Sequence, residues 1–112
     1  LRTVVDSIIL NSVNGAVPYM LTLNASEDTL FAACWGGSTM AVVELSTKID
    51  TYIPVGFQAH APVIVADSLL YVTCEGNHRD PYKIYVVNII TQTVVDSIDV
   101  GRYPNGIAVL RP

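Results

Sequence analysis

Two histidines and several acidic side chains occur in this 112-residue chain, and imidazole with carboxylate could hold a metal or move a proton. His60 lies in Gly56-Phe57-Gln58-Ala59-His60-Ala61-Pro62, and His78 in Glu75-Gly76-Asn77-His78-Arg79-Asp80-Pro81-Tyr82. With Glu75 and Asp80 they offer nitrogen and oxygen ligands of the kind zinc or iron takes. No H-x-H, HExxH or CxxC spacing accompanies them, so the sequence predicts no metal centre. A covalently attached haem needs C-x-x-C-H, and no such motif occurs. No G-x-S-x-G turn presents a serine nucleophile. Gly36-Gly37-Ser38 reads as a turn with no helix behind it to cradle a phosphate. No residue is assigned a catalytic role on these grounds, and no cofactor is expected.

The elements that position these side chains are announced by a repeat. Residues 3–8 read Thr-Val-Val-Asp-Ser-Ile, and residues 93–98 repeat the same six letters. Between them, Lys48-Ile49-Asp50-Thr51-Tyr52-Ile53-Pro54-Val55-Gly56 precedes the second copy by 45 residues. A period in the low forties fits propeller blades or helical repeats. Every apolar segment is short, β-branched or aromatic, and bounded by Gly, Pro, Asn, Asp or Ser, with no sustained helical periodicity. The fold class is therefore all-β, with four antiparallel strands per repeat, the blade of a β-propeller.

Laid side by side, the copies predict four strands per repeat, labelled A to D in order. Residues 1–17 give a D strand (Thr3–Leu10) and a turn, 18–55 one full blade, 56–100 a second, and 101–112 a turn and an A strand. Pro18, Pro62 and Pro104 are aligned as equivalent positions before the A strands. Leu30-Phe31-Ala32-Ala33-Cys34 and Leu70-Tyr71-Val72-Thr73-Cys74 are the two B strands. The run Leu70-Tyr71-Val72-Thr73-Cys74, Ile84-Tyr85-Val86-Val87-Asn88-Ile89 and Val100-Gly101-Arg102-Tyr103-Pro104-Asn105-Gly106 resembles a YVTN-family propeller repeat, with Cys74 where the family has asparagine. The resemblance implies an exported protein, extracellular, periplasmic or at the cell surface. An open run of blades would expose apolar faces. The expectation is a segment of a larger, seven-bladed propeller, its partners the remaining blades or other subunits.

Composition narrows the partners. The chain is 51% hydrophobic and 14% charged, which suits strands buried on both faces. A net charge of −4 with scattered Lys and Arg argues against nucleic acid and anionic lipid. No apolar stretch is long enough for a transmembrane helix, so no membrane insertion is expected. Cys34 and Cys74 stand at equivalent places on neighbouring blades, roughly 10 Å apart. A disulfide needs Cα atoms within about 7 Å, so the two are expected as separate buried thiols. Asn24-Ala25-Ser26 is a glycosylation sequon on an A–B loop.

In a propeller the B–C and D–A loops emerge on one face, often the ligand-binding one. That face would gather Trp35, His60, Glu75, His78, Arg79, Asp80, Arg102 and Tyr103 as binding residues. The second B–C loop is four residues longer than the first, and inserted polar loops commonly carry specificity. The reading is a non-catalytic binding or structural scaffold for a protein, a glycan or a surface layer. The alternative is a segment of a periplasmic propeller enzyme, which the resemblance implies could be a lactonase, a lyase, or a quinone- or haem-linked dehydrogenase.

Overall fold

The computed structural model describes residues 3–4, 6–66, 68–76 and 82–101. Among them, eight strands form two four-stranded antiparallel sheets in simple sequential order. The first holds β1 (Pro18–Leu23), β2 (Thr29–Cys34), β3 (Thr39–Glu44) and β4 (Asp50–Pro54). The second holds β5 (Ala59–Ala66), β6 (Leu69–Cys74), β7 (Lys83–Asn88) and β8 (Thr93–Asp99). The sheets touch along β1, β2 and β5, while β4 and β8 barely meet. They therefore fan out from a shared inner edge, as two adjacent blades of a β-propeller.

Local chemistry sets the turns. Asn24 bridges the β1–β2 loop: its Oδ1 accepts from the Asp28 and Thr29 amides, both at 3.0 Å, and its Nδ2 donates to Asp28 Oδ1 at 2.7 Å. The sequon asparagine is thus part of the turn's own hydrogen bonding. In the β7–β8 loop Asn88 does similar work, accepting from the Ile90 and Thr91 amides at 2.9 and 3.1 Å. Short polar side chains that bond the backbone two or three residues on favour such turns.

Strand alternation divides the core. Phe31, Ala33, Met40, Val42 and Ile53 of the first blade pack with Ala59, Leu70, Val72, Cys74 and Val87 of the second. On the opposite face of the first blade, Ala32, Cys34 and Ala41 cluster with Leu10 and Tyr52. Neighbours along β2 thus point to opposite faces, and both faces are covered. Cys34 and Cys74 are free, buried thiols facing the two different layers. Burial pushes both up, Cys74 to about 12.

Two sequence expectations change. Of the D strand expected over Thr3–Leu10, the described residues, 3, 4 and 6–10, are in no strand. A D strand pairs with a C strand, and both edges of β3 and of β7 are already taken. The segment instead lies against the first blade. Asn11 donates its amide to the Tyr52 hydroxyl at 2.8 Å, Leu10 joins the Ala32 cluster, and Val4 and Ile9 stay 88% and 90% exposed. The alignment of Pro18 with Pro62 is also displaced. Pro18 pairs with Cys34 as Ala59 pairs with Cys74, whereas Pro62 lies inside β5, opposite Val72. Proline is tolerated there because β5 is an edge strand. The expected A strand within 101–112 lies outside the described residues.

The thiols supply a test. The folded chain keeps the Cys74 proton to about 12, while the unfolded chain releases it near 9. Stability held below pH 9 is therefore lost as pH rises from about 9 through about 12. Denaturation midpoints should fall across that window, and fall less steeply in Cys74→Ala measured against its own neutral-pH midpoint. In the native chain both cysteines should resist alkylation that labels them rapidly once unfolded.

Candidate functional site

The inner strands carry matching irregularities. In β1 the pairing runs Pro18 with Cys34, then Met20 with Ala33, leaving Tyr19 as an extra residue. In β5 it runs Ala59 with Cys74, then Ala61 with Thr73, leaving His60. Each is a β-bulge, a device that bends the strand and re-aims the side chain it carries. A left-handed residue stands just ahead of each bulged pair, Val17 at φ 49° and Gln58 at φ 58°. The carbonyl of each accepts the amide just after the B strand, Trp35 N at 2.8 Å and Glu75 N at 3.0 Å. Tyr19 and His60 are therefore equivalent positions, and so are Trp35 and Glu75.

These four side chains meet between the blades. Trp35 donates its indole N–H to Glu75 Oε1 at 2.9 Å, linking the first blade to the second. The other carboxylate oxygen, Oε2, lies 3.5 Å from His60 Nε2. The Tyr19 ring rests against the His60 imidazole, centroids 4.2 Å apart and planes tilted by 41°. The Glu75 and His60 side chains are only 5% and 13% exposed, while Tyr19 remains 57% exposed. A buried carboxylate needs such donors, and a charge-assisted bond to an indole N–H is among the stronger ones. The result is an oriented imidazole beside an open aromatic face.

A second set of contacts holds the loops that carry the cluster. The Tyr82 hydroxyl accepts the Phe57 amide at 3.1 Å, and Phe57 O accepts the Gly76 amide at 3.0 Å. Gly76 sits at φ 66°, and a Cβ there would come 2.7 Å from Tyr82 Cγ. A Cβ on Gly56 would collide with the Tyr85 and Tyr82 rings. Burial, together with a hydrogen bond to Tyr82, pushes the Tyr85 phenol up to about 12. Across the blade junction, Ser38 Oγ accepts the Gln58 amide at 3.2 Å and Ser38 O accepts the Val55 amide at 3.1 Å. The first blade's β2–β3 turn thus fixes the segment leading into His60.

Of the expected binding residues, the fold brings Trp35, His60 and Glu75 together. His60 is corrected from a turn to a strand residue, since β5 begins at Ala59. His78, Arg79, Asp80, Arg102 and Tyr103 lie outside the described residues. Tyr19 is a member the sequence reading passed over. Its signal lies in the Val-Gly turns: Ala59 stands four residues after Val55, as Pro104 does after Val100. That count makes His60 the residue following the turn, equivalent to Tyr19 after Pro18. Among the described residues, no three His, Cys, Asp or Glu side chains converge as metal ligands. At the other end of the blade junction lies a cleft of about 390 Å³, lined by Phe31, Glu44, Thr51, Ile89 and Gln92 among others.

No family model matches this chain, and no curated protein matches it. Among solved structures it is similar to hydrazine synthase of Kuenenia stuttgartiensis, with a TM-score of 0.73 and 23% identity over 94% of this chain. The chain spans 29% of that protein's length. The likeness concerns the fold, and agrees with the propeller-blade arrangement of the two sheets.

Trp35 is the single tryptophan, so its fluorescence reports on the inter-blade bond. Glu75→Ala should shift its emission to the red and lower stability by about 1–3 kcal/mol, the usual penalty for leaving a donor near a protein interior unpaired. Gly76→Ala should be destabilising too, through both the left-handed backbone and the Tyr82 clash. Chemical denaturation followed by fluorescence checks both.

Proposed function

We propose that this chain is a YVTN-type propeller segment of an exported protein, acting as a non-catalytic binding scaffold. The observation that carries this reading is the joining of Tyr19, Trp35, His60 and Glu75 across two blades. A binding face needs side chains held in place before the ligand arrives, because ordering them afterwards subtracts from affinity. Bulged strands, a left-handed lead-in residue and an inter-blade hydrogen bond supply that order. Export is supported by the sequence resemblance, and a protein, glycan or surface-layer ligand fits an open face lined by aromatic and polar groups.

The enzyme reading keeps one specific support, the His60–Glu75 pair. An imidazole held 3.5 Å from a carboxylate is oriented as a general base needs to be. Two blades of a longer propeller could contribute such a pair to a central funnel. The binding reading takes precedence because Glu75 is also tied to Trp35, a tether that serves rigidity.

Cosedimentation with cell-envelope material from the source organism tests the proposal. The wild-type chain should sediment with it, and His60→Ala/Glu75→Ala should lose most of that binding while keeping its β-sheet circular dichroism. Equal binding by both would move the activity to another surface. Turnover of an envelope component by the wild type, lost in the double variant, would favour the enzyme reading instead.

A further inference from the structure

The binding reading leaves the ligand class open, and the following rests on that reading. We propose that the Tyr19, Trp35, His60 and Glu75 cluster is a subsite for a neutral saccharide, with the Tyr19 ring as its stacking platform. Tyr19 belongs to a strand, yet the residue is 57% exposed and its ring is set against His60 by the bulge. A flat phenol offers a π-face to the axial C–H groups of a pyranose, and its hydroxyl can both donate and accept. The His60 imidazole, 13% exposed and turned to Glu75, backs the platform and fixes the ring's orientation. Glu75 is a positioning residue: nearly buried, it holds the indole and the imidazole in place.

Other ligand classes fit less well. A stable protein partner needs about 800 Å² on each side, far more than one platform ring and the edge of an imidazole. An anionic sugar would face the Glu75 carboxylate in a chain of net charge −4. A metal ion would require a set of ligating side chains that the described residues do not bring together. A sugar asks for an aromatic face with a polar group beside it, and the exposed Tyr19 supplies both in its ring and its hydroxyl.

The test is calorimetric titration of the full chain with a panel of neutral hexose and N-acetylhexosamine oligosaccharides and matching uronic-acid oligosaccharides. At least one neutral member should bind. Tyr19→Ala should weaken it about tenfold or more, and Tyr19→Phe, which keeps the ring, should stay within about threefold. Because the ring is exposed, both variants should melt like the wild type, and circular dichroism checks this. Absence of binding across the neutral panel, tighter binding of uronic-acid sugars, or affinity untouched by Tyr19→Ala would each overturn the inference. If no sugar binds but envelope cosedimentation still depends on His60 and Glu75, the saccharide class fails and the binding scaffold stands with a protein ligand. If cosedimentation fails while a neutral sugar binds through Tyr19, the saccharide subsite stands and the envelope is not its source.

Discussion

The packing of one blade's face on the next is the interaction on which everything else rests. Met40, Val42 and Ile53 bury against Leu70, Val72 and Val87, and all six are buried, Val42 the least so. A four-stranded sheet with one wet face is marginal alone, and two such sheets become stable by covering each other. The period-2 alternation of the strands then decides which residues face inward and which face the next layer. Low charge and abundant β-branched residues follow from this demand, since a blade between two neighbours has no solvated face to spend on polar side chains.

Inter-blade packing also explains why a site forms where it does. The sheets converge along β1 and β5 and meet least toward β4 and β8, so side chains from the two blades crowd most closely near the inner edge. At that edge the bulges turn Tyr19 and His60 out of the regular pleat. Trp35 and Glu75, one step beyond their B strands, close the gap from the other side. The geometry that buries the core and the geometry that gathers the polar cluster are the same fan.

Much of this was legible in the residues. Segments such as Leu30–Cys34, Leu70–Cys74 and Ile84–Ile89 announce strands because branched and aromatic types alternate between Asn, Gly and Pro turns. Trp35, His60 and Glu75 could be assigned to one face because a propeller's loop connectivity dictates it. The misreadings have physical causes. Thr3–Leu10 has the composition of a strand, but strand formation depends on an available partner edge, which composition does not encode. Proline was a poor marker of equivalent positions, since an edge strand accepts it inside the strand at Pro62 as readily as at its first residue, Pro18. Tyr19 went unnoticed because a bulge is an insertion in the pairing of two strands, and the prolines, unlike the count from the Val-Gly turn, align the copies out of step with that pairing.

The paired equivalence of Tyr19 with His60, and of Trp35 with Glu75, has a consequence for how such a chain can change over time. The backbone bonds that define these positions, Trp35 N to Val17 O and Glu75 N to Gln58 O, involve no side chain at all. The scaffold thus supplies addresses, and the side chain at each address is free to drift without disturbing the strand that presents it. A tyrosine in one blade and a histidine in the next are two contents of one address. Selection acting on a ring of such blades can compose a new surface one repeat at a time while the fold beneath it stays the same.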